Sequence, residues 1–182
     1  GTIALTFALH FPERTAGLIM VGAGYPDPEP ADGPTGPPAF IYNDRVFQFM
    51  MNRMEGMLLN MFGVSKEEFV SASSREREEF RNLLRVILPI KPRKPGIVLD
   101  QNYVNPYMNI HYDEYPLESI EAPVLILHAK NDPMAKYDTM KEAAVRFQDA
   151  TVVTYETGGH VLFGHDKENR EYIREFLRGH DE

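Results

Sequence analysis

Three apolar runs, each next to a stretch with helical spacing, organise this sequence. AGLIMVGAG at residues 16–24 ends in glycines, APVLILHAKND at residues 122–132 ends in polar residues, and ATVVTYETGGH at residues 150–160 ends in two glycines and a histidine. Short apolar runs bounded by turn residues are typical of strands inside a parallel sheet. The pattern therefore predicts three strands, and it predicts that the first, at residues 16–24, is buried on both faces.

Stretches with helical spacing lie beside these strands. Residues 2–11 are mostly small and apolar and stop at Pro12, residues 138–148 place apolar side chains at helical spacing, and residues 169–180 form an amphipathic closing stretch. Strands that alternate with helices indicate an α/β fold with a parallel sheet. Because a free edge on an apolar strand promotes aggregation, we also expect further strands to precede Gly1 in the intact protein.

The middle of the chain interrupts this alternation. Residues 25–38 contain six prolines and two glycines and predict a loop. Residues 40–88 have helical patterning, with a capping box at Ser65 and Glu68 and another at Ser73 and Glu76. Prolines then break the helices at residues 89–96, and the stretch to Pro116 has no clear period. We therefore divide the chain into a core helix and strand (1–24), a helical cap insertion (25–118) and a carboxyl-terminal core (119–182).

Composition narrows the possible partners. The net charge is −8 and there is no cysteine. An acidic chain is a poor partner for nucleic acid or an anionic membrane, since both require a basic patch. Without cysteine the chain has no disulfide, no thiol nucleophile and no cysteine-bound zinc, which fits a reducing compartment, and we expect a cytoplasmic protein. No apolar run is long enough to span a bilayer.

Two residue types that carry acid–base chemistry follow neighbouring strands. Asp132 follows the second run and His160 the third. In open α/β sheets, functional residues collect beyond the carboxyl ends of the strands, so a carboxylate and an imidazole can pair there. Taken alone, Asp132 before Pro133 is also a typical turn former, and His160 an ordinary loop residue. Their joint position favours a catalytic pair.

Other histidines and the serines of the chain fit metal binding and nucleophilic attack less well. His160 and His165 are five residues apart, whereas helical metal pairs prefer three or four, and no third ligand is close in sequence. We therefore expect no metal and no cofactor. The serines of the chain fit helix caps or loops, and none lies in a G-x-S-x-G motif; they are Ser65, Ser71, Ser73, Ser74 and Ser119.

These segments together resemble the carboxyl-terminal part of an α/β-hydrolase. HFPERTAGLIMV is similar to the helix and strand that follow the nucleophile elbow, IEAPVLILHAKNDPM to the segment that presents the acid, and GGHVLFGHD to the loop that presents the histidine. The resemblance implies that Asp132 is the triad acid, that His160 is the general base, and that the helical insertion is a mobile cap. It covers the chain except for the interior of that insertion.

In the family pattern Gly1 is the last glycine of the elbow, so the resemblance implies that the nucleophile lies three residues before Gly1, outside this chain. We expect a serine hydrolase acting on a small ester-like substrate, with the chain as given inactive. Two alternatives stay open: an aspartate nucleophile, as in a dehalogenase or epoxide hydrolase, and a non-catalytic split or binding module. The expected partners are a small-molecule substrate and either the amino-terminal half or a self-association partner.

Overall fold

A three-stranded parallel sheet forms the centre of the structure, a computed structural model that describes residues 1–30 and 39–179. The strands are β1 (Leu18–Val21), β2 (Val124–Ala129) and β3 (Ala150–Tyr155), in the spatial order β1-β2-β3. Leu18 is in register with Val124, and Val124 with Ala150. The predicted α/β class and the three parallel strands are confirmed. The proline-rich loop was predicted at residues 25–38, of which 31–38 lie outside the described residues.

Helices pack on both faces of the sheet. On one face lie α1 (Thr2–His10) and α8 (Tyr137–Ala144), whose buried side chains share a core with alternate residues of β1 and β2. On the other face α9 (Asp166–Gly179) packs Ile173 and Phe176 against the remaining residues of β2. Every residue of β2 is buried, because this strand has a neighbour on each side and helices on each face.

The first strand is less buried than its composition predicts. Leu18 and Met20 are buried against the helices of one face, but Ile19 is only partly buried and Val21 is 46% exposed. The prediction that this strand is buried on both faces is therefore wrong for the described residues. The physical reason is that the helix on the second face covers β2 and leaves the outer end of β1 open.

A layer of helices connects β1 to β2. It contains α2 (Asp44–Arg53), α3 (Glu55–Met61), α4 (Lys66–Ser71), α5 (Ser74–Ile87), α6 (Lys94–Leu99) and α7 (Asn105–Ile110). Both predicted capping boxes are present at the starts of α4 and α5. These helices have an apolar core of their own, which includes Phe47, Leu58, Phe80 and Leu84. We call this set of helices the helical layer.

The sequence pattern missed the last two helices of this layer. Helix α6 has Pro95 in its first turn, where the absent amide proton costs nothing, so the proline starts a helix here. A π-helical turn at Asp100–Val104 then joins α6 to α7. Because a π turn adds a residue to the repeat, it shifts the register of apolar positions and hides the helical period. Within the described ranges, every helix is too short or too polar to cross a lipid bilayer.

Candidate active site

Asp132 lies in the turn that follows β2. Its Oδ1 accepts hydrogen bonds from the backbone N–H groups of Met134 at 2.8 Å and Ala135 at 3.0 Å. Its side chain is fully buried. Asp132 is thus a turn former, as one interpretation of the sequence had it, and this turn leaves the second carboxylate oxygen facing the next loop.

His160 lies on a single 3₁₀ turn, Gly159–Val161, after β3. Gly158 and Gly159 have φ values of 109° and 57°, which side chains rarely adopt, so two glycines allow the sharp turn at this point. The ring Nδ1 lies 3.0 Å from Asp132 Oδ2. Because a carboxylate can only accept, Nδ1 carries the proton of this bond, and Nε2 remains as the acceptor in the neutral ring. The structure therefore brings the two predicted residues together.

The environment of Asp132 keeps its carboxylate charged. Burial alone raises the pKa of Asp132, but the hydrogen bond from His160 and those from the backbone of Ala135 and Met134 outweigh it, and the net pKa lies below the ordinary value of 3.8. A buried carboxylate that stays ionised can hold an imidazole in one tautomer and stabilise the imidazolium form.

His128 supports the turn that carries Asp132. It is fully buried within β2, and its Nε2 lies 3.0 Å from the carbonyl oxygen of Ala135 and 4.0 Å from Asp132 Oδ2. The carbonyl accepts, so Nε2 carries the proton. Burial lowers the pKa of His128, more than its partners raise it. A neutral His128 therefore fixes the far end of the same turn whose amides hold Asp132 Oδ1.

A cleft of about 970 Å³ opens beside His160, between the sheet and the helical layer. Its helical-layer wall is mostly apolar and includes Phe47, Met61, Phe62 and Ile90, while Gly1 and Gly22 line the sheet side. Gly22 lies very close to His160, since a Cβ on it would sit 2.4 Å from the carbonyl oxygen of His160. The cleft thus offers an apolar surface next to the Asp132–His160 pair.

The other sequence candidates lie elsewhere. Ser65 and Ser73 cap helices, and the hydroxyls of Ser71 and Ser119 donate to nearby backbone carbonyls, at Glu68 and Pro116. His165 stacks on Tyr155 and bonds to Glu168. The part of the chain that the structure describes contains no cluster of three or more histidine, cysteine, aspartate or glutamate residues placed to bind a metal ion.

Acidification should reveal the contribution of Asp132 to stability. A carboxylate whose pKa is lowered in the folded state stabilises that state fully when the pH is above the carboxylate's pKa in the unfolded chain. This stabilisation disappears as the pH falls through the folded-state pKa. We expect Asp132→Asn to be less stable than the wild type at pH 7 in urea unfolding, and this difference to shrink below pH 3.8, the ordinary value. The exposed Asp138→Asn is the control. A difference that stays constant from pH 7 to pH 3 would contradict the assignment.

Comparison with known proteins adds to this geometry. A family model described as TAP-like protein matches residues 106–180, which include Asp132 and His160. No protein with a curated description matches the chain.

Several solved structures share the architecture. An alpha/beta hydrolase fold protein from Nakamurella multipartita superposes with a TM-score of 0.71 and 21% identity, over 96% of this chain and 64% of that one. Est816, described as an N-acyl homoserine lactone degrading enzyme, superposes with a TM-score of 0.58 and 24% identity, over 97% of this chain and 62% of that one. A thermophilic esterase from Thermogutta terrifontis superposes with a TM-score of 0.54 and 18% identity, over 98% of this chain and 61% of that one. The chain therefore spans less than two thirds of each of these structures.

Proposed function

We propose, from the premise that this chain has the fold of the carboxyl-terminal part of an α/β-hydrolase, that it carries the acid and the base of a hydrolase acting on esters or similar small acyl substrates. Asp132 is the acid and His160 the base. The single observation that carries the proposal is the 3.0 Å contact between His160 Nδ1 and Asp132 Oδ2 at the edge of the cleft.

His160 acts as base and then as acid in this mechanism. Its Nε2 accepts the proton of the nucleophile as the nucleophile's oxygen bonds to the carbonyl carbon. It returns that proton to the alcohol oxygen as the ester C–O bond breaks. A water molecule then attacks the acyl-enzyme, with His160 again taking a proton and giving it back, and the carboxylic acid product is released. Asp132 stays ionised and stabilises the imidazolium that forms at each step.

The nucleophile, in this proposal, is a serine that enters the cleft from a segment preceding Gly1. Four of the chain's serines already have local partners: Ser65 and Ser73 cap helices, and Ser71 and Ser119 donate to nearby backbone carbonyls. Gly1, at the amino terminus of α1, lines the same cleft as His160. A helix amino terminus also favours negative charge, which suits the oxyanion that forms during acyl transfer.

The outer edge of β1 supports the same proposal. The backbone N–H groups of Leu18 and Gly22 donate to the carbonyl oxygens of Pro123 and Leu127, on the β2 side. Because successive residues of a strand face opposite directions, the backbone groups of Ile19 and Val21 point toward the other edge. In the described part of the chain no strand pairs with that edge. An apolar groove of about 700 Å³ runs beside it between α1 and α9. We propose that the preceding segment pairs here.

The helical layer is the cap over the substrate in this proposal. Part of its wall of the cleft consists of large apolar side chains, including Met61 and Phe62, and the turn after β2 adds Met134. Met50 is buried in the core of the layer, while Met54 and Met57 are exposed, so the methionines divide between packing, surface and cleft. This apolar part of the wall suits an uncharged acyl chain better than a charged group.

The test compares p-nitrophenyl acetate hydrolysis by this chain with hydrolysis by the longer protein encoded when the upstream sequence is read in frame. We expect turnover by the longer protein and none above background by the chain, since a base and an acid without a nucleophile leave only weak base catalysis.

Turnover by the chain alone that is lost in His160→Ala would mean that the nucleophile lies within this sequence. If the longer protein is inactive on esters but opens epoxides or removes halide, the nucleophile would be an aspartate instead of a serine. Inactivity toward all three substrate classes would favour a binding role.

A further inference from the structure

The turn between α3 and α4 touches both loops of the candidate active site. The backbone N–H of His160 donates to the carbonyl oxygen of Phe62 at 2.8 Å. A Cβ on Gly159 would lie 1.9 Å from the same oxygen, and a Cβ on Gly63 would lie 2.6 Å from Pro133 Cδ. The helical layer is therefore in backbone contact with the acid turn and the histidine loop at one point, where only glycines fit.

Asn131 joins the three segments that meet there. Its Nδ2 donates to the carbonyl oxygen of Gly63 at 2.9 Å, and its Oδ1 accepts from the backbone N–H of Gly159 at 2.9 Å. Both partners are backbone groups with a single role, so they fix which end of the carboxamide faces which loop. Asn131 directly precedes the acid Asp132, and Gly159 directly precedes the base His160.

Glu68 adds a second connection from the helical layer to the histidine loop. It closes the capping box at the start of α4 with Ser65, and its carboxylate faces Thr157 and the backbone of Gly158, which also lower its pKa. Burial raises the pKa of Glu68, but its bonds with Ser65 and the neighbouring Thr157 and Gly158 outweigh burial, and the net pKa is lowered. The carboxylate is thus held in its charged form between the two segments.

We infer that Asn131 is a positioning residue, which latches the histidine loop to the Phe62–Gly63 turn and so keeps the His160 ring within hydrogen-bond reach of Asp132. The inference rests on the proposed function for the roles of His160 and Asp132. Its consequence is that this end of the helical layer moves with the base rather than independently of it. Asn131 does not line the cleft, so its effect on catalysis passes through His160.

The first test measures amide hydrogen exchange in the chain and in Asn131→Ala. The variant removes the acceptor of the Gly159 amide and the donor to Gly63. We expect exchange at Gly159 and His160 to accelerate about five- to tenfold, the effect of losing one hydrogen bond, while amides of β2 and β3 keep their rates. Asn60→Ala, an exposed asparagine of α3, is the matched control.

Asn131→Asp separates the two halves of the latch. It retains the acceptor for the Gly159 amide but places a carboxylate oxygen against the carbonyl of Gly63. We expect Gly159 to stay protected while the amides of Gly63 and His160 exchange faster. Unchanged exchange at Gly159 and His160 in both variants would overturn the inference.

The second test measures steady-state ester hydrolysis by the longer protein. We expect Asn131→Ala to lower kcat about tenfold and leave KM unchanged, because a misplaced base slows the chemical step without touching substrate. An unchanged kcat, or a change confined to KM, would also overturn the inference. Absence of hydrolysis by the wild-type longer protein would refute the proposed function alone, and the exchange rates would still decide whether the latch exists.

Discussion

Replacing His160 by alanine in the longer protein should lower kcat for ester hydrolysis on the order of a millionfold, the loss seen when the base of a serine protease triad is removed. His160 Nδ1 lies 3.0 Å from Asp132 Oδ2, and among the described residues His160 is the one histidine that lines the cleft. No other imidazole in that part of the chain is therefore placed to act as the base. Without it, the nucleophile keeps its proton and the leaving alcohol has no acid. KM should change little, since the ring moves protons rather than binding the acyl chain.

The measurement is kcat and KM for p-nitrophenyl acetate in the wild type and the variant. His111→Ala is the matched control, because His111 lies after α7 and bonds to Glu114 away from the cleft. Retention of more than about a tenth of the wild-type kcat by His160→Ala would show that another group is the base.

Asp132→Asn should lower kcat about ten-thousandfold, through the tautomer of His160 rather than through the fold. The backbone amides of Met134 and Ala135 bond to Oδ1, and the asparagine oxygen can keep both bonds. Its NH₂ group then faces His160 Nδ1 and must donate to it. A ring that accepts at Nδ1 carries its proton on Nε2, where it can no longer accept the proton of the nucleophile.

Asp138→Asn controls for the loss of one negative charge, since Asp138 is exposed at the start of α8. The variant Asp132→Asn should also keep the hydrogen-exchange protection of β2. Near-full activity of Asp132→Asn would reassign the acid to another residue and leave His160 as the base.

Much of the candidate site follows from local pattern. The apolar runs end where the strands end, to within a few residues, and parallel strands bring their carboxyl ends to one edge, so Asp132 and His160 meet as predicted. The glycines before His160 are equally local, because their positive φ angles need no information from distant segments. These features depend on periodicity and turn chemistry, which a sequence expresses directly.

Contacts between distant segments are what the sequence could not provide. Nothing in the pair Asn131 and Asp132 indicates that the asparagine side chain reaches Gly63, 68 residues away, and Glu68 gives only its capping-box signal. The exposure of Val21 likewise depends on where α9 packs rather than on the composition of β1. These features arise from tertiary packing, which overrides local propensity.

The helices α6 and α7 show a third limit. Their sequence is rich in proline, asparagine and tyrosine, and the π turn between them breaks the apolar repeat. The π turn nonetheless contributes Asp100 and Gln101 to the cleft, and α7 contributes Asn105 and Asn109, so the sequence pattern does not reveal this polar part of the lining. Gln101 accepts from the hydroxyl of Tyr42 at 2.6 Å, which ties this wall to the residues just before α2.

The site of covalent labelling by an alkyl fluorophosphonate tests the central claim most directly, namely that Asp132 and His160 serve a nucleophile from outside this chain. The reagent is applied to the longer protein and to the chain, and the labelled peptide is identified by mass spectrometry. We predict a label on a serine three residues before Gly1, dependent on His160, and no label on the chain by itself. A label on Ser65, Ser74 or another serine of this sequence, also dependent on His160, would contradict the account.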